Sequence, residues 1–254
     1  MVKIIIIRVA GTTCDHEVAW ACSLAGAKSD LVHLSRIIEG TVCLRDYDAL
    51  FFPGGFSYGD DLGAGKVFAN EIALKIKDQL LDFSARKRPI IGISNGFQAL
   101  VKSGLLPFTG KSRASLIGND SGSFESRWLH LRVESSVSPF FRNFPERIRL
   151  PIAHAEGKFL LKNSRDLECL EKGSQILLRY ISPSGALPEY PDNPDGSLAD
   201  IAGVCDHTGL IVGMMPHPER ALLHLHLPDW RRNPSSERFG LGYRFFRNVV
   251  EYCS

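Results

Sequence analysis

The chain has 254 residues, of which 44% are hydrophobic and 23% are charged, and its formal net charge is +2. This length and hydrophobic content suit one large α/β domain, with or without an insertion, and leave ample sequence for a core. The charge is too mild to favour nucleic-acid binding, and no segment is as long as a membrane span. We therefore expect neither a nucleic acid nor a membrane as a partner.

The cysteines and the amino-terminal residues indicate a cellular location. The six cysteines form no Cys-x-x-Cys pair and no zinc spacing, which favours reduced thiols and no metal site. The apolar run 4–7 is too short for a signal-peptide core. We therefore expect a cytoplasmic protein.

The amino-terminal part of the chain alternates predicted strands and helices. The almost uninterrupted β-branched run 2–9 predicts a central strand of a parallel sheet, and apolar residues at near-helical spacing predict a long amphipathic helix over 68–83. This alternation predicts a doubly wound, mostly parallel sheet. The other elements predicted here are a helix over 15–25 and strands over 30–34, 49–52 and 89–93.

The pattern changes after residue 106. Predicted strands over 115–118, 127–133 and 148–152 have little helix between them, which indicates an antiparallel patch added to the parallel sheet. The segment 183–197 is rich in Pro, Gly, Asp and Ser and predicts a long surface loop. No clean linker divides 1–254, so we expect a single domain. Its last predicted elements are strands over 201–205 and 210–214 and a closing helix over 240–252.

The strand 89–93 breaks at one hydroxyl residue and the chain resumes as a helix. Gly92 and Gly96 flank Ser94, so the chain can turn sharply and leave that side chain exposed at the carboxyl end of the strand. This pattern predicts a strand–nucleophile–helix elbow, in which the amino terminus of the helix can stabilise an oxyanion.

A matching base follows the strand 210–214. In an extended segment, residues two apart lie on one face, so Glu219 can lie beside His217 and orient its imidazole. The Gly-x-Ser-x-Gly pattern around Ser94 is also that of the α/β-hydrolases, so a serine hydrolase is a second hypothesis. In those enzymes the acid precedes the histidine in the chain, whereas here it follows, which argues against an esterase.

Four motifs that follow one another along the chain resemble those of the class I glutamine amidotransferases. In the first motif, a glycine pair at the end of a strand lets backbone N–H groups approach a substrate oxygen. More narrowly, the chain is similar to the glutaminase subunits of phosphoribosylformylglycinamidine synthase in purine biosynthesis, from its first strand to its final helix. The motifs are Phe-Pro-Gly-Gly-Phe-Ser-Tyr-Gly-Asp-Asp at 52–61, Gly-Ile-Ser-Asn-Gly-Phe-Gln at 92–98, Pro-Ile-Ala-His at 151–154 and Met-Met-Pro-His-Pro-Glu-Arg at 214–220.

The resemblance implies a flavodoxin-like fold and a Cys-His-Glu triad that hydrolyses glutamine. Ser94 then occupies the position of the nucleophile, His217 is the base, and Glu219 orients it. The N–H groups of Gly55 and Asn95 would form the oxyanion hole. The full set of residues implied for the oxyanion hole and for glutamine binding is Gly54, Gly55, Asn95, Gln98, His154 and Glu156.

The resemblance also implies partners. Ammonia would pass to a separate ATP-dependent synthetase subunit, and a small accessory subunit would join the same complex. We therefore expect ATP and Mg²⁺ on the synthetase subunit, and no cofactor or metal on this chain.

One residue departs from the family pattern in a way that changes the chemistry. The family has Cys where this chain has Ser94, and a hydroxyl cannot be deprotonated in advance as a thiol of pKa about 8.5 can. We therefore expect glutaminase activity below that of a Cys-bearing relative by about 10²–10⁴-fold. Ala155 (where Gly is expected) and Ser126 (where relatives often carry Cys) are milder departures.

The sequence leaves the origin of Ser94 open. An engineered serine would silence turnover while glutamine stays bound. A natural serine would mark a divergent member that acts as a catalytically silent partner subunit or that uses free ammonia.

Overall fold

The structure, a computed structural model, describes residues 1–108, 113–184 and 186–254. Gly185, within the predicted loop 183–197, lies outside the described residues. The strands are β1 (Lys3–Arg8), β2 (Lys28–His33), β3 (Ala49–Phe52), β4 (Ile90–Ile93), β5 (Ala114–Ile117), β6 (Glu125–Val133), β7 (Arg147–His154), β8 (Lys158–Leu161), β9 (Ile176–Tyr180), β10 (Ile201–Cys205) and β11 (Ile211–Met214). The helices are α1 (Asp15–Leu24), α2 (Leu34–Ile38), α3 (Lys66–Glu71), α4 (Lys77–Ala85), α5 (Asn95–Lys102), α6 (Ser164–Lys172) and α7 (Leu241–Cys253), and a π-helical turn (Ile72–Ile76) joins α3 to α4.

The parallel part of the sheet is covered on both faces. Its strands lie in the order β2-β1-β3-β4-β11 and all run parallel. Successive side chains of a strand point to opposite faces. Ile4 and Ile6 therefore pack into one core with α1 and α7, while Ile5 and Ile7 pack into a second core with α3, α4 and α5. Burial on both faces explains why the apolar run of β1 is unbroken. The predicted doubly wound, mostly parallel sheet is confirmed.

The predicted antiparallel patch is confirmed for the strands at 127–133 and 148–152, but the strand predicted at 115–118 lies outside the main sheet. β10 pairs antiparallel with β11 and β9, and β6 pairs antiparallel with β9 and β7, so the sheet continues beyond its parallel part. Among the described residues, β5 and β8 form a separate antiparallel pair.

Two helices, α2 and α6, are absent from the sequence predictions. α6 begins where Asn163 Oδ1 accepts the Asp166 N–H at 3.0 Å, which caps its first turn. The helix predicted over 68–83 is present, but the π-helical turn interrupts its α-helical hydrogen bonding. Within the described ranges, no helix is both long and apolar enough to cross a membrane.

The prediction that 183–197 is a surface loop is wrong at the carboxyl end of this segment. Asp195 is completely buried and Ser197 is 4% exposed. The Asp195 carboxylate accepts hydrogen bonds from the Tyr180 hydroxyl at 3.1 Å and from the Ser197 hydroxyl at 2.6 Å. These polar partners allow a segment of loop composition to be buried.

Candidate active site

Ser94 occupies a sharp turn between β4 and α5. Its backbone angles are φ +52° and ψ −110°, a conformation that residues with a side chain rarely adopt. The Ser94 N–H donates to the Met214 carbonyl at 2.8 Å, which ties the turn to the end of β11. A Cβ on Gly96 would lie 1.9 Å from the Phe52 carbonyl oxygen, so only glycine lets α5 approach β3 this closely. The backbone therefore has the form of the predicted elbow, but the expectation that the Ser94 side chain is exposed is wrong, because Ser94 is only 4% exposed.

His217 and Glu219 follow β11, which is the neighbour of β4 in the sheet. His217 Nδ1 and Glu219 Oε1 are 2.6 Å apart, and each residue is 2% exposed. The expected extended conformation is wrong, because residues 218–220 form a 3₁₀ turn that brings the carboxylate back to the ring. The His217 backbone N–H donates to the Pro151 carbonyl at 2.8 Å, which fixes the turn against β7.

The nucleophile position and the base face each other across Gly54. A Cβ on Gly54 would lie 2.8 Å from His217 Cε1 and 3.4 Å from Ser94 Cβ. His217 Cε1 and Ser94 Cβ are therefore no more than 6.2 Å apart, the sum of the two distances. The Glu219 carboxylate holds the ring proton on Nδ1, which leaves Nε2 to accept a proton. Among the described residues, the buried His217 Nε2 has no hydrogen-bond partner. This arrangement is suited to nucleophilic attack assisted by a general base.

Two backbone N–H groups beside Ser94 are available to a substrate oxygen. The Gly54 carbonyl accepts the N–H groups of Thr13 at 3.2 Å and Cys14 at 3.1 Å, which holds the glycine pair in place. In the part of the chain that the structure describes, the Gly55 N–H has no acceptor. Asn95 is the first residue of α5, so its N–H has no acceptor within the helix. Their role as an oxyanion hole stays a prediction.

Three of the residues predicted at the substrate site, Asn95, Gln98 and Glu156, belong to one polar network. Gln98 Nε2 donates to the Glu156 carbonyl at 2.7 Å, and Gln98 Oε1 accepts from Asn95 Nδ2 at 3.0 Å. The Glu156 carboxylate accepts the Ala64 N–H at 3.0 Å and the Lys102 ammonium at 3.2 Å. The network joins three separate segments of the chain beside the elbow. Direct contact of Gln98 and Glu156 with glutamine stays a prediction.

His154 is buried and neutral. Its Nδ1 lies 3.1 Å from Asn119 Oδ1, which also accepts the Gly157 N–H at 2.8 Å, so the amide oxygen faces the ring and Nδ1 carries the proton. His154 Nε2 lies 3.6 Å from Asp195 Oδ2. Burial, together with the nearby His217, lowers the pKa of His154 to about 3, so this contact joins a neutral ring to a buried carboxyl group. Contact of His154 with glutamine also stays a prediction.

Three residues beside the triad, Cys14, Asp60 and Arg220, are not among the predicted site residues. Cys14 is 1% exposed, and Arg220 Nη2 donates to its sulfur at 3.2 Å. Burial, with the negative charge of Glu219, raises the pKa of the Cys14 thiol to about 12. Asp60 accepts from Asn95 Nδ2 at 3.1 Å, and burial raises the pKa of its carboxyl group. Cys14 lies in the loop that follows the parallel strand β1, and this position beyond the carboxyl end of a parallel strand is the signal that could have located it.

Comparisons with known proteins decide the family. A family model described as the CobB/CobQ-like glutamine amidotransferase domain matches residues 1–253. The phosphoribosylformylglycinamidine synthase subunit PurQ of Dehalococcoides mccartyi is 40% identical to this chain over 254 residues, which cover 99% of this chain and 98% of the relative. This chain belongs to the PurQ family of glutamine amidotransferases.

Other members of the PurQ family agree over the same length. The PurQ subunit of Methanopyrus kandleri is 36% identical, with 100% of this chain and 99% of the relative covered. The structure of PurLQS from Thermotoga maritima contains a chain that is 30% identical, with a TM-score of 0.76 and coverage of 100% of this chain and 99% of that one. The resemblance and the fold class predicted from the four motifs are confirmed.

Proposed function

We propose that this chain is the glutaminase subunit of phosphoribosylformylglycinamidine synthase. It hydrolyses glutamine to glutamate and ammonia. The ammonia serves the ATP-dependent conversion of formylglycinamide ribonucleotide to formylglycinamidine ribonucleotide in purine biosynthesis. The observation that best supports this proposal is the approach of Ser94, His217 and Glu219 in a chain that matches PurQ relatives along its full length.

The chemistry follows from the positions of four groups. The Ser94 hydroxyl attacks the carboxamide carbon of glutamine while His217 Nε2 takes its proton. The N–H groups of Gly55 and Asn95 donate to the oxygen that becomes negative. The imidazolium then gives its proton to the leaving nitrogen, so ammonia departs and a γ-glutamyl ester remains on Ser94. Water, deprotonated by His217, hydrolyses the ester and restores the hydroxyl.

The serine slows the first of these steps. A cysteine at position 94 would reach the thiolate before attack, whereas the Ser94 hydroxyl must lose its proton during attack. Oxygen is also smaller than sulfur, so a frame spaced for a thiol holds the hydroxyl farther from the substrate. Native turnover is therefore slower than that of the Ser94→Cys protein by about 10²–10⁴-fold.

The proposed complex contains a synthetase subunit and a small accessory subunit. The name of the Thermotoga maritima structure, PurLQS, supports such an assembly. ATP and Mg²⁺ bind the synthetase subunit, and this chain supplies no cofactor to the reaction. The proposed location of the complex is the cytoplasm.

The experiment compares two nitrogen sources in the reconstituted complex. Formylglycinamidine ribonucleotide is measured with either glutamine or ammonium chloride, using the native, Ser94→Cys and His217→Ala chains. Glutamine should support faster synthesis with Ser94→Cys than with the native chain, while ammonium should support equal synthesis with all three. Glutamine-driven synthesis with Ser94→Cys that does not exceed that with His217→Ala would refute the proposal.

A catalytically silent partner subunit is the second candidate, and the serine at position 94 favours it. In that case Ser94→Cys restores no glutaminase although the complex assembles and uses ammonium. A serine hydrolase is less well supported, because Glu219 follows His217 in the chain instead of preceding it. Rapid labelling of Ser94 by a fluorophosphonate would favour the serine hydrolase.

A further inference from the structure

The antiparallel end of the main sheet has an open edge. β7 is the last strand of this sheet, and among the described residues only β6 pairs with it. One row of backbone N–H and C=O groups in β7 therefore faces away from the sheet. In an antiparallel pair, residues alternate along each strand between those whose groups bond the partner strand and those whose groups point outward. The hydrogen bonds at the two ends of β7 show which residues point outward.

Arg147 and Arg149 are the residues whose backbone groups point outward at the start of β7. The Val133 N–H donates to the Glu146 carbonyl at 2.8 Å, and these two residues lie opposite each other in the register of β6 and β7. The backbone groups of Glu146 therefore bond β6, and those of the next residue, Arg147, point outward. Two residues later the alternation turns the groups of Arg149 outward as well.

The edge is covered farther along the strand. There the alternation turns the Pro151 carbonyl outward, and this carbonyl accepts the His217 N–H at 2.8 Å. In the part of the chain that the structure describes, the outward groups of Arg147 and Arg149 have no backbone partner. The open stretch of the edge is therefore 147–149, with two N–H donors and two carbonyl acceptors.

This stretch lies in a groove of about 820 Å³, which β7, α7 and the segment 221–240 line. All three residues of the stretch belong to the lining. A water molecule takes about 30 Å³ in the liquid, so the groove has room for a segment of chain rather than for a few waters.

The groove has an excess of positive charge. The segments 142–149 and 229–251, which supply most of its lining, contain eight arginines and four acidic residues, a net charge of +4 in a chain whose total is +2. Arg147 is exposed, and Arg149 is paired with Asp229 at 2.9 Å. Residues two apart in a strand lie on one face, so the two guanidinium groups lie on the same side of the edge.

We propose that the β7 edge at 147–149 binds an extended, acidic segment of a partner protein as an additional strand. The backbone groups of this segment bond those of Arg147 and Arg149, which supplies affinity. Its acidic side chains, at every second position, lie opposite the two guanidinium groups, which supplies selectivity. Charged side chains on an outer strand also discourage unwanted pairing, so the arginines restrict the partner to acidic segments.

Residue-resolved amide hydrogen exchange of the intact native protein tests the open edge. The N–H groups of Arg147 and Arg149 should exchange well before those of Ile148 and Leu150, whose groups bond β6. Equal exchange at the four residues would overturn the proposal, because the edge would already be covered.

The probe for the acidic segment is the peptide acetyl-Glu-Thr-Glu-Thr-Glu-Thr-Glu-amide. It should slow exchange at Arg147 and Arg149, and the same peptide with Lys in place of Glu should not. In the proposed pairing the glutamates lie opposite the arginines, so their N–H groups donate to the arginine carbonyls. Methylation of the glutamate nitrogens keeps the charge, removes these donors and should abolish the slowing. No slowing at about 1 mM acidic peptide, or equal slowing by the methylated peptide, would overturn the proposal.

A variant pair tests the role of charge. Arg147→Glu places like charges opposite each other and should weaken peptide binding by about 3–10-fold. Arg165→Glu is the matched control, since Arg165 is exposed on α6 and lies outside the groove, and it should bind the peptide as the native chain does. Equal affinities of the two variants would overturn the selection for an acidic segment. These readouts need no glutaminase activity, so their outcome is independent of the proposed function.

Discussion

Replacing Gly96 by alanine tests the elbow that presents Ser94. The new Cβ would lie 1.9 Å from the Phe52 carbonyl oxygen and 2.6 Å from the Phe52 carbonyl carbon, where ordinary contact begins near 3.4 Å. The difference between 3.4 and 1.9 Å means that β3 and α5 must separate by about 1.5 Å. Overpacking a core costs about 1–3 kcal/mol. The obstacle here is backbone, which cannot rotate away, so we expect a loss of about 3 kcal/mol in the free energy of unfolding.

The assay is equilibrium unfolding in urea, followed by circular dichroism. A loss of about 3 kcal/mol is a large share of a total stability of about 5–15 kcal/mol, so the midpoint should shift clearly. Gly118→Ala is the matched control, because nothing lies within 4 Å of its added Cβ and its backbone is not left-handed. It should change stability by no more than about 0.5 kcal/mol. Equal midpoints for the two variants would refute the close approach of α5 to β3.

Three further predictions concern single groups. Glu219→Gln, made in the Ser94→Cys protein, should lower glutamate release by about 10²–10⁴-fold, because the proton of the His217 ring is no longer fixed on Nδ1. Unchanged release would contradict the role of Glu219 in orienting His217. The pKa of His154 is about 3 in the folded protein, against an ordinary value of 6.5. Between these pH values the unfolded chain binds one proton more than the folded chain, so the free energy of unfolding should fall as the pH falls from 6.5 to 3. Urea unfolding at pH 4.5 and 7 measures this, and His154→Gln should show a smaller difference between the two. Iodoacetamide should label exposed Cys43 well before Cys14, whose pKa is about 12, and equal labelling by peptide mass spectrometry would contradict the burial.

Much of the fold could be predicted because continuous burial leaves a direct mark on sequence. The isoleucines at 4–7 face two cores in turn, so no polar residue interrupts them. The elbow was also predictable, because Gly96 is required by close backbone contact within a short segment. The sequence pattern does not predict the polar helix α6, because few apolar residues mark it and its start is set by the local cap at Asn163.

The site was predictable where its residues belong to contiguous motifs and unpredictable where the fold alone unites them. The sequence predicts that His217 pairs with Glu219, and the structure contains this pair. The prediction assumes an extended chain, whereas a 3₁₀ turn brings the two side chains together. Cys14 lies about two hundred residues from His217 in the chain, so no spacing rule could place its sulfur there. The loop composition of 183–197 predicts a surface position for Asp195, because composition does not reveal the hydrogen-bond partners that stabilise it when buried.

Glutamate release by the Ser94→Cys protein tests the triad most directly. It is measured with glutamine and the synthetase subunit, beside the native chain and the double variant Ser94→Cys/His217→Ala. We predict that Ser94→Cys exceeds the native rate by about 10²–10⁴-fold and that the double variant loses this gain. A Ser94→Cys rate no higher than that of the double variant would contradict the assignment of residues 94 and 217 as nucleophile and base.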